Sequence, residues 1–251
     1  CATIIGGSAM MGRAGIAYTT GFKAIATALP YMIGMFIFSG ISGRIQQVGE
    51  KYGIESIPGL FEYRFGKAAK CILSAMVAFS MMGTAAAQVT ATATIIKLLG
   101  GQVGISYEMG ALIATVIFII YTAASGLFGV VYTDVVQFFM LIIFVYLMIP
   151  VSSLNYLGGF GNFWQNLDKS YLVPQINGEI LGDIVTYLVF TLAGAEMWQR
   201  AFAAKDKKSA KRGMFWGTAV YGVTIALLFL MGLAAQQILP NGVEEFGTAD
   251  A

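Results

Sequence analysis

"SGLFGVVYTDVVQFFMLIIFVYLMIP" (residues 125–150) decides the fold. One acid, Asp134, stands near its start, and no other charge follows until Asp168. A soluble helix this apolar would need covering on every side. A hydrocarbon layer about 30 Å thick, crossed by about 20 apolar residues of helix, accommodates it directly. The same kind of gap recurs outward along the chain. No charged residue lies between Lys23 and Arg44, Lys70 and Lys97, Glu108 and Asp134, or Arg212 and Glu244. Over its 251 residues the chain is 57% hydrophobic and 11% charged, against about 25% charged for an ordinary globular protein. Its mean hydropathy is +0.74. The apolar runs do not alternate as the strands of a membrane barrel would. The chain therefore reads as an all-α polytopic membrane protein.

Seven crossings are expected, at roughly 1–20, 24–42, 68–96, 109–124, 130–151, 182–199 and 213–239. They form a single membrane domain spanning 1–251. The chain opens inside an apolar run without Met and stops in a polar loop, so a fragment truncated at both ends is expected. Arg44, Lys51, Arg64, Lys67 and Lys70 cluster after the second run, and Arg200, Lys205, Lys207, Lys208, Lys211 and Arg212 after the sixth. By the positive-inside rule loops 43–67 and 200–212 face the cytoplasm of a multi-pass protein in the cell membrane. An even number of crossings separates them, so the two assignments agree. In this setting the basic loops do not point to nucleic acid. Cys1 and Cys71 read as packing residues, not a disulfide. Histidine is absent, and no acid pair, ligand cluster or nucleophile constellation supports an enzyme.

Two runs are interrupted. The first carries Gly6, Gly7, Gly12 and Gly15 around Arg13; each glycine costs a helix interior about 1 kcal/mol relative to alanine. Either a small-residue packing face or a broken helix with freed backbone groups explains this. The sixth is broken at Ala193-Gly194-Ala195, with Glu196 beyond. An acid there marks a functional site or pairs with Arg200 one turn on. Segments one and six lie five crossings apart, an odd offset that reverses direction, as an inverted repeat of five requires. In the third, Ser80, Thr84, Gln88 and Thr92 form a polar stripe, read as interhelical hydrogen bonding over a solvated path.

Four stretches together resemble the sodium:solute symporters, built on the leucine-transporter fold. They are "IIGGSAMMGRAGIAY", "SIPGLFEYRFGK", "IYTAASGLFGVVYTDVVQ" and "WQRAFAAKDKKSAKRG", in family order across the chain. Ser56 replaces the family's usual Thr, and Ser125 its first Gly. The resemblance implies part of a five-plus-five inverted-repeat core, with a helix before position 1 and core helices from the eighth onwards after 251. It implies sodium as the coupling ion, held by the carbonyls matching Ala2 and Ile5 together with hydroxyls on the eighth core helix. It also implies that Asp134 is a way-station for sodium leaving to the cytoplasm; the residue-level alternative is an acid complementing a helix N-terminus. Gly6, Gly7 and Ser8 would contact the solute, with Phe190 as a lid or an ordinary packing residue. Ile4 and Ala9 stand where sugar-transporting relatives carry polar side chains. Free N–H groups near Ser8 favour a carboxylate.

The expected function is sodium-coupled symport of a small organic solute by alternating access, an amino acid or carboxylate before a sugar. The alternative is the symporter-like sensor region of a signalling receptor such as a histidine kinase. The partners are sodium, the solute and the bilayer. The identity of the solute, the oligomeric state and the role of Arg13 are beyond these residues.

Overall fold

Every regular element among the described residues of the computed structural model is helical. It describes residues 6–100, 103–173 and 178–242, with 7, 8, 24, 125–128, 130, 131 and 179 by backbone alone. The long helices are α1 (Gly7–Thr20), α2 (Phe22–Tyr52), α4 (Lys67–Gly100), α5 (Tyr107–Met140), α8 (Gly178–Ala193) and α10 (Lys207–Ile238). Shorter ones are α3 (Ile57–Phe65), α6 (Ile149–Tyr156), α7 (Phe160–Asn166) and α9 (Ala195–Phe202). Six stretches among the described residues are long and apolar enough to cross a membrane. The first expected crossing is not one of them. Its described part, α1, has 14 residues and spans only about 21 Å.

Local chemistry sets the ends. Ser56 caps α3 by accepting the Gly59 N–H at 3.2 Å, with Pro58 in the first turn, where a missing N–H costs nothing. Asp206 accepts the Ser209 N–H at 2.7 Å where α10 begins. That backbone bond holds the Asp206 carboxyl below its ordinary 3.8. The bond from Ser170 does the same for Asp168. Between α5 and α6 the helix widens to a π-helix, Leu141–Met148. Pro150 explains it: its ring crowds the carbonyl four residues back and it has no N–H to give. The Ile149 N–H accordingly reaches Phe144 O, five residues back.

The expected fourth and fifth crossings, 109–124 and 130–151, lie on one hydrogen-bonded helix. It is not straight. Tyr121 Oη and Thr133 Oγ1 lie 2.8 Å apart. Twelve residues of straight helix would hold their backbones about 18 Å apart, beyond the reach of these two side chains. The helix therefore bends sharply between Tyr121 and Thr133, a stretch that carries Gly126 and Gly129. On either side of the bend, Tyr107–Ala124 and Tyr132–Tyr156 are each long and apolar enough to cross a membrane.

The chain divides into two compact units. The first comprises Cys1–Ile25, Thr84–Gln175 and Val223–Ala251. Its core is Phe163, Leu167, Leu233 and Ala234, flanked by Leu154, Leu157, Tyr171, Leu172, Phe229 and Leu230. α1 and α10 meet at Gly232, where an added Cβ would lie 2.5 Å from Ala17 Cβ and 3.0 Å from Tyr18 N. Tyr18 ties the same ends together. Its hydroxyl donates to Leu239 O at 2.5 Å and accepts from the Gly242 N–H at 2.9 Å. Gln237 Nε2 donates to Phe163 O at 3.0 Å, and the Tyr146 and Thr224 hydroxyls are bonded.

The second unit comprises Ala26–Gly83 and Ile176–Gly222. α2 approaches α8 at Gly34, where a Cβ would meet Thr191 Cβ at 2.9 Å and Leu188 O at 3.2 Å. Tyr31 packs on Tyr221 with ring centroids 5.3 Å apart, and buried Phe38 meets Trp198 edge-on at 5.9 Å. The expected loop 43–67 is mostly helix: α2 runs on to Tyr52, and α3 follows. Tertiary contact carries α2 past its apolar stretch. Gly43 lies against the Lys207 and Lys211 stems, and Gly49 against Phe202 and the Ile54 carbonyl.

Large apolar side chains stand exposed along α4 and α5, among them Phe79 at 81% and Leu99 at 82%. On a soluble protein such a surface would be a liability. Against hydrocarbon it is the expected face.

Candidate functional site

In the first unit the site begins at Gly6. The residue is extended (φ −82, ψ 172) and caps α1, which starts at Gly7. This start lies within a residue of Ser8, where the second half-helix was expected to begin. The Gly6 carbonyl accepts the Met10 N–H at 3.0 Å. No side chain caps this end, so its first-turn N–H groups point out of the helix. Ala2 and Ile5 lie outside the described residues, as does the Ser8 side chain.

Gln88 on α4 completes this corner, a role the sequence did not single out. A Cβ at Gly6 would lie 2.5 Å from Gln88 Nε2 and 2.7 Å from its Oε1. The glycine thus lets an amide able to donate and accept stand against the start of α1. Thr92, next on the stripe, bonds back to Gln88 O at 2.8 Å. The available signal was its place on the polar stripe Ser80, Thr84, Gln88 and Thr92, read as interhelical hydrogen bonding. Its partner on another element is a tertiary fact.

Asp134 follows the α5 bend directly, one residue past Thr133, and is partly buried. It lies within α5, two residues into the span Tyr132–Tyr156. A cavity of about 390 Å³ in the same unit lies beside α1, lined by Met11, Tyr18, Ile149, Ser153 and Met231 among others. Gly6 is not among its described lining residues.

In the second unit the expected interruption of the sixth segment falls at Gly194. α8 ends at Ala193, Gly194 leaves the helix (φ −57, ψ 115), and α9 starts at Ala195. The carbonyls of the last turn of α8 lose their helical donors; Leu192 O receives the Trp198 indole N–H at 2.9 Å instead. Glu196 bends back beside the break. Its Oε2 is buried without a hydrogen-bond partner. Phe190, one turn before the break, is 46% exposed. Among the described residues no three His, Cys, Asp or Glu side chains gather as a metal site. A hard cation takes oxygen donors, carbonyls included, and a helix break supplies these.

Comparison with known proteins bears on the whole chain. The family described as "Sodium:solute symporter family" matches residues 1–249. The sodium/pantothenate symporter of Escherichia coli (strain K12) is 28% identical over 96% of this chain and 51% of its own length. The osmoregulated proline transporter OpuE of Bacillus subtilis (strain 168) is 25% identical over 89% of this chain and 47% of its own. The human high affinity choline transporter 1 is 26% identical over 94% of this chain and 39% of its own. The chain thus spans about half the length, or less, of the curated relatives it matches. No solved structure matches at comparable stringency.

Proposed function

The chain belongs to the sodium:solute symporter family, and from that premise we propose that it forms part of a sodium-coupled secondary transporter. The protein moves a small organic solute inward by alternating access and catalyses no covalent chemistry. The observation that carries this reading is the pair of helix ends bared inside apolar sequence. Gly6 opens α1 and Gly194 parts α8 from α9. Non-helical backbone at membrane depth is tolerated where it lines a polar cavity or is buried in protein, and secondary transporters place ion and solute there.

Within this reading the carbonyls of Ala2 and Ile5 contribute to sodium binding, completed by hydroxyls on a later core helix. Asp134 receives sodium on its way to the cytoplasm. Gly6, Gly7 and Ser8 present main-chain groups to the solute, and Phe190 closes over it. The core is a five-plus-five inverted repeat, with loops 43–67 and 200–212 in the cytoplasm of a cell-membrane protein. The solute is an amino acid or small carboxylate before a sugar. Two of the relatives named above carry pantothenate and proline in their descriptions, in keeping with bared N–H groups at α1.

A ligand that binds the folded state alone raises its unfolding temperature by mass action. The purified full-length protein should therefore melt higher in sodium chloride than in potassium chloride at equal ionic strength. Identical melting in the two salts would count against sodium as the ion.

A further inference from the structure

In the second unit α2 and α10 touch along a seam whose two ends differ in chemistry. At one end Gly43 lets α10 approach. A Cβ there would lie 2.7 Å from Lys207 Cγ and 3.1 Å from Lys211 Cγ. Farther along, Phe36 meets Phe215 with ring centroids 5.5 Å apart, and both rings are exposed. Between these contacts on α2 stands Gly40, exposed, where an added Cβ would meet nothing within 4 Å. Seven residues separate Phe36 from Gly43, about 10 Å of helix.

The edge of the hydrocarbon falls at the lysine end. Arg44 closes the charge-free run of α2, and Arg212 stands just before that of α10. Trp216, exposed one turn past Arg212, is of the residue type that gathers at such an edge. The same end carries more positive charge than the protein balances. Lys207 and Lys211 repel each other one turn apart, near the positive pole of α10. Lys208 and Arg212 stand beside them, and all four are exposed. The one acid in 200–212 is Asp206, and one of its oxygens holds the Ser209 N–H. None of the four cations forms an ion pair among the described residues. An anion is the missing complement, and the exposed rings beside it call for hydrocarbon on the same molecule.

We propose that this seam holds an anionic phospholipid, its phosphate against Lys207 and Lys211 and one acyl chain laid over Gly40 towards Phe36 and Phe215. Lysine stems lie along apolar surface and leave the ammonium at headgroup level, where each basic residue draws anionic lipid. Gly40 keeps the path of the chain open. The site takes no part in binding ion or solute and does not depend on which solute is carried.

The test is thermal unfolding of the full-length protein in detergent, titrated with phosphatidylglycerol, phosphatidylcholine or inorganic phosphate. Phosphatidylglycerol should stabilise wild type at far lower lipid content than phosphatidylcholine, and phosphate should not stabilise it. Lys207→Gln with Lys211→Gln keeps most of each stem and removes both charges. It should raise the half-saturating phosphatidylglycerol content about tenfold or more. Gly40→Leu keeps the charges and has room to fold. It should raise that content about fourfold or more, the worth of one methylene displaced. Lys208→Gln with Arg212→Gln makes the same charge change one residue around the helix and should cost about twofold at most, as a screened charge does. A wild type that responds equally to the two lipids overturns the proposal, the result expected if another part of the full-length chain covers the seam. Stabilisation by inorganic phosphate, a seam variant that overlays wild type, or an equal loss in the Lys208 and Arg212 variant overturns it too.

Discussion

Replacing Gly232 with leucine should abolish the folded first unit, and replacing it with alanine should lower stability by about 2 kcal/mol, within the range for overpacking a close contact. The reason is the approach of α1 to α10. A Cβ at Gly232 would fall 2.5 Å from Ala17 Cβ and 3.0 Å from the Tyr18 backbone nitrogen, with the Ala14 carbonyl also in the way. Backbone atoms cannot turn aside as a flexible side chain can, so the helices must part. Parting them also strains the Tyr18 bonds to Leu239 and Gly242, which join the same elements. Gly217, on the same helix with nothing within 4 Å of an added Cβ, is the control. Its alanine variant should be neutral or gain up to about 1 kcal/mol from helix propensity. Thermal unfolding of the purified variants reads both, and equal behaviour at the two positions would contradict the packing.

The second large effect is expected at Asp134. Asp134→Asn should raise the sodium concentration that half-saturates uptake by about fivefold, corresponding to the ~1 kcal/mol that one charge exerts on a cation at about 4 Å in water. The variant should still fold in potassium chloride, because asparagine keeps the shape. Asp134 follows directly on the bend that brings Tyr121 to Thr133. A carboxylate on such a path attracts a cation without trapping it. Unaltered sodium dependence would remove Asp134 from the path.

Much of the fold was legible because solvent dictated it. The charge-free gaps at 24–43, 71–96 and 213–243 could only be membrane helices, and α2, α4 and α10 cover them. Gly194 broke the sixth segment as its neighbours Ala193 and Ala195 suggested, since three small residues offer a helix little side-chain support. Ser56 capped α3 by the reach of its own hydroxyl, a signal confined to four residues. Boundaries set by distant contacts were not legible. α2 passes its apolar stretch because Gly43 and Gly49 seat it on residues more than 150 positions away. The 109–124 and 130–151 segments were legible as the separate spans Tyr107–Ala124 and Tyr132–Tyr156; that one helix, Tyr107–Met140, would run through the bend between them was not. In the candidate site the helix starts and breaks could be read from glycines. Gln88 against Gly6 could not, nor could the orphaned oxygen of Glu196, because both depend on which face of a helix meets which neighbour. The spacing of Glu196 and Arg200 on α9 suggested an ion pair or a functional acid, and a buried Oε2 without a hydrogen-bond partner was not legible from that spacing.

The central claim is that sodium moving inward drives a solute with it. The full-length protein reconstituted into liposomes, given an inward sodium gradient and labelled proline, pantothenate or choline, tests it most directly. Accumulation of one of these above its equilibrium level with sodium, and not with an equal potassium gradient, is the result predicted. Uptake that responds identically to both gradients, or only to a proton gradient, would contradict it.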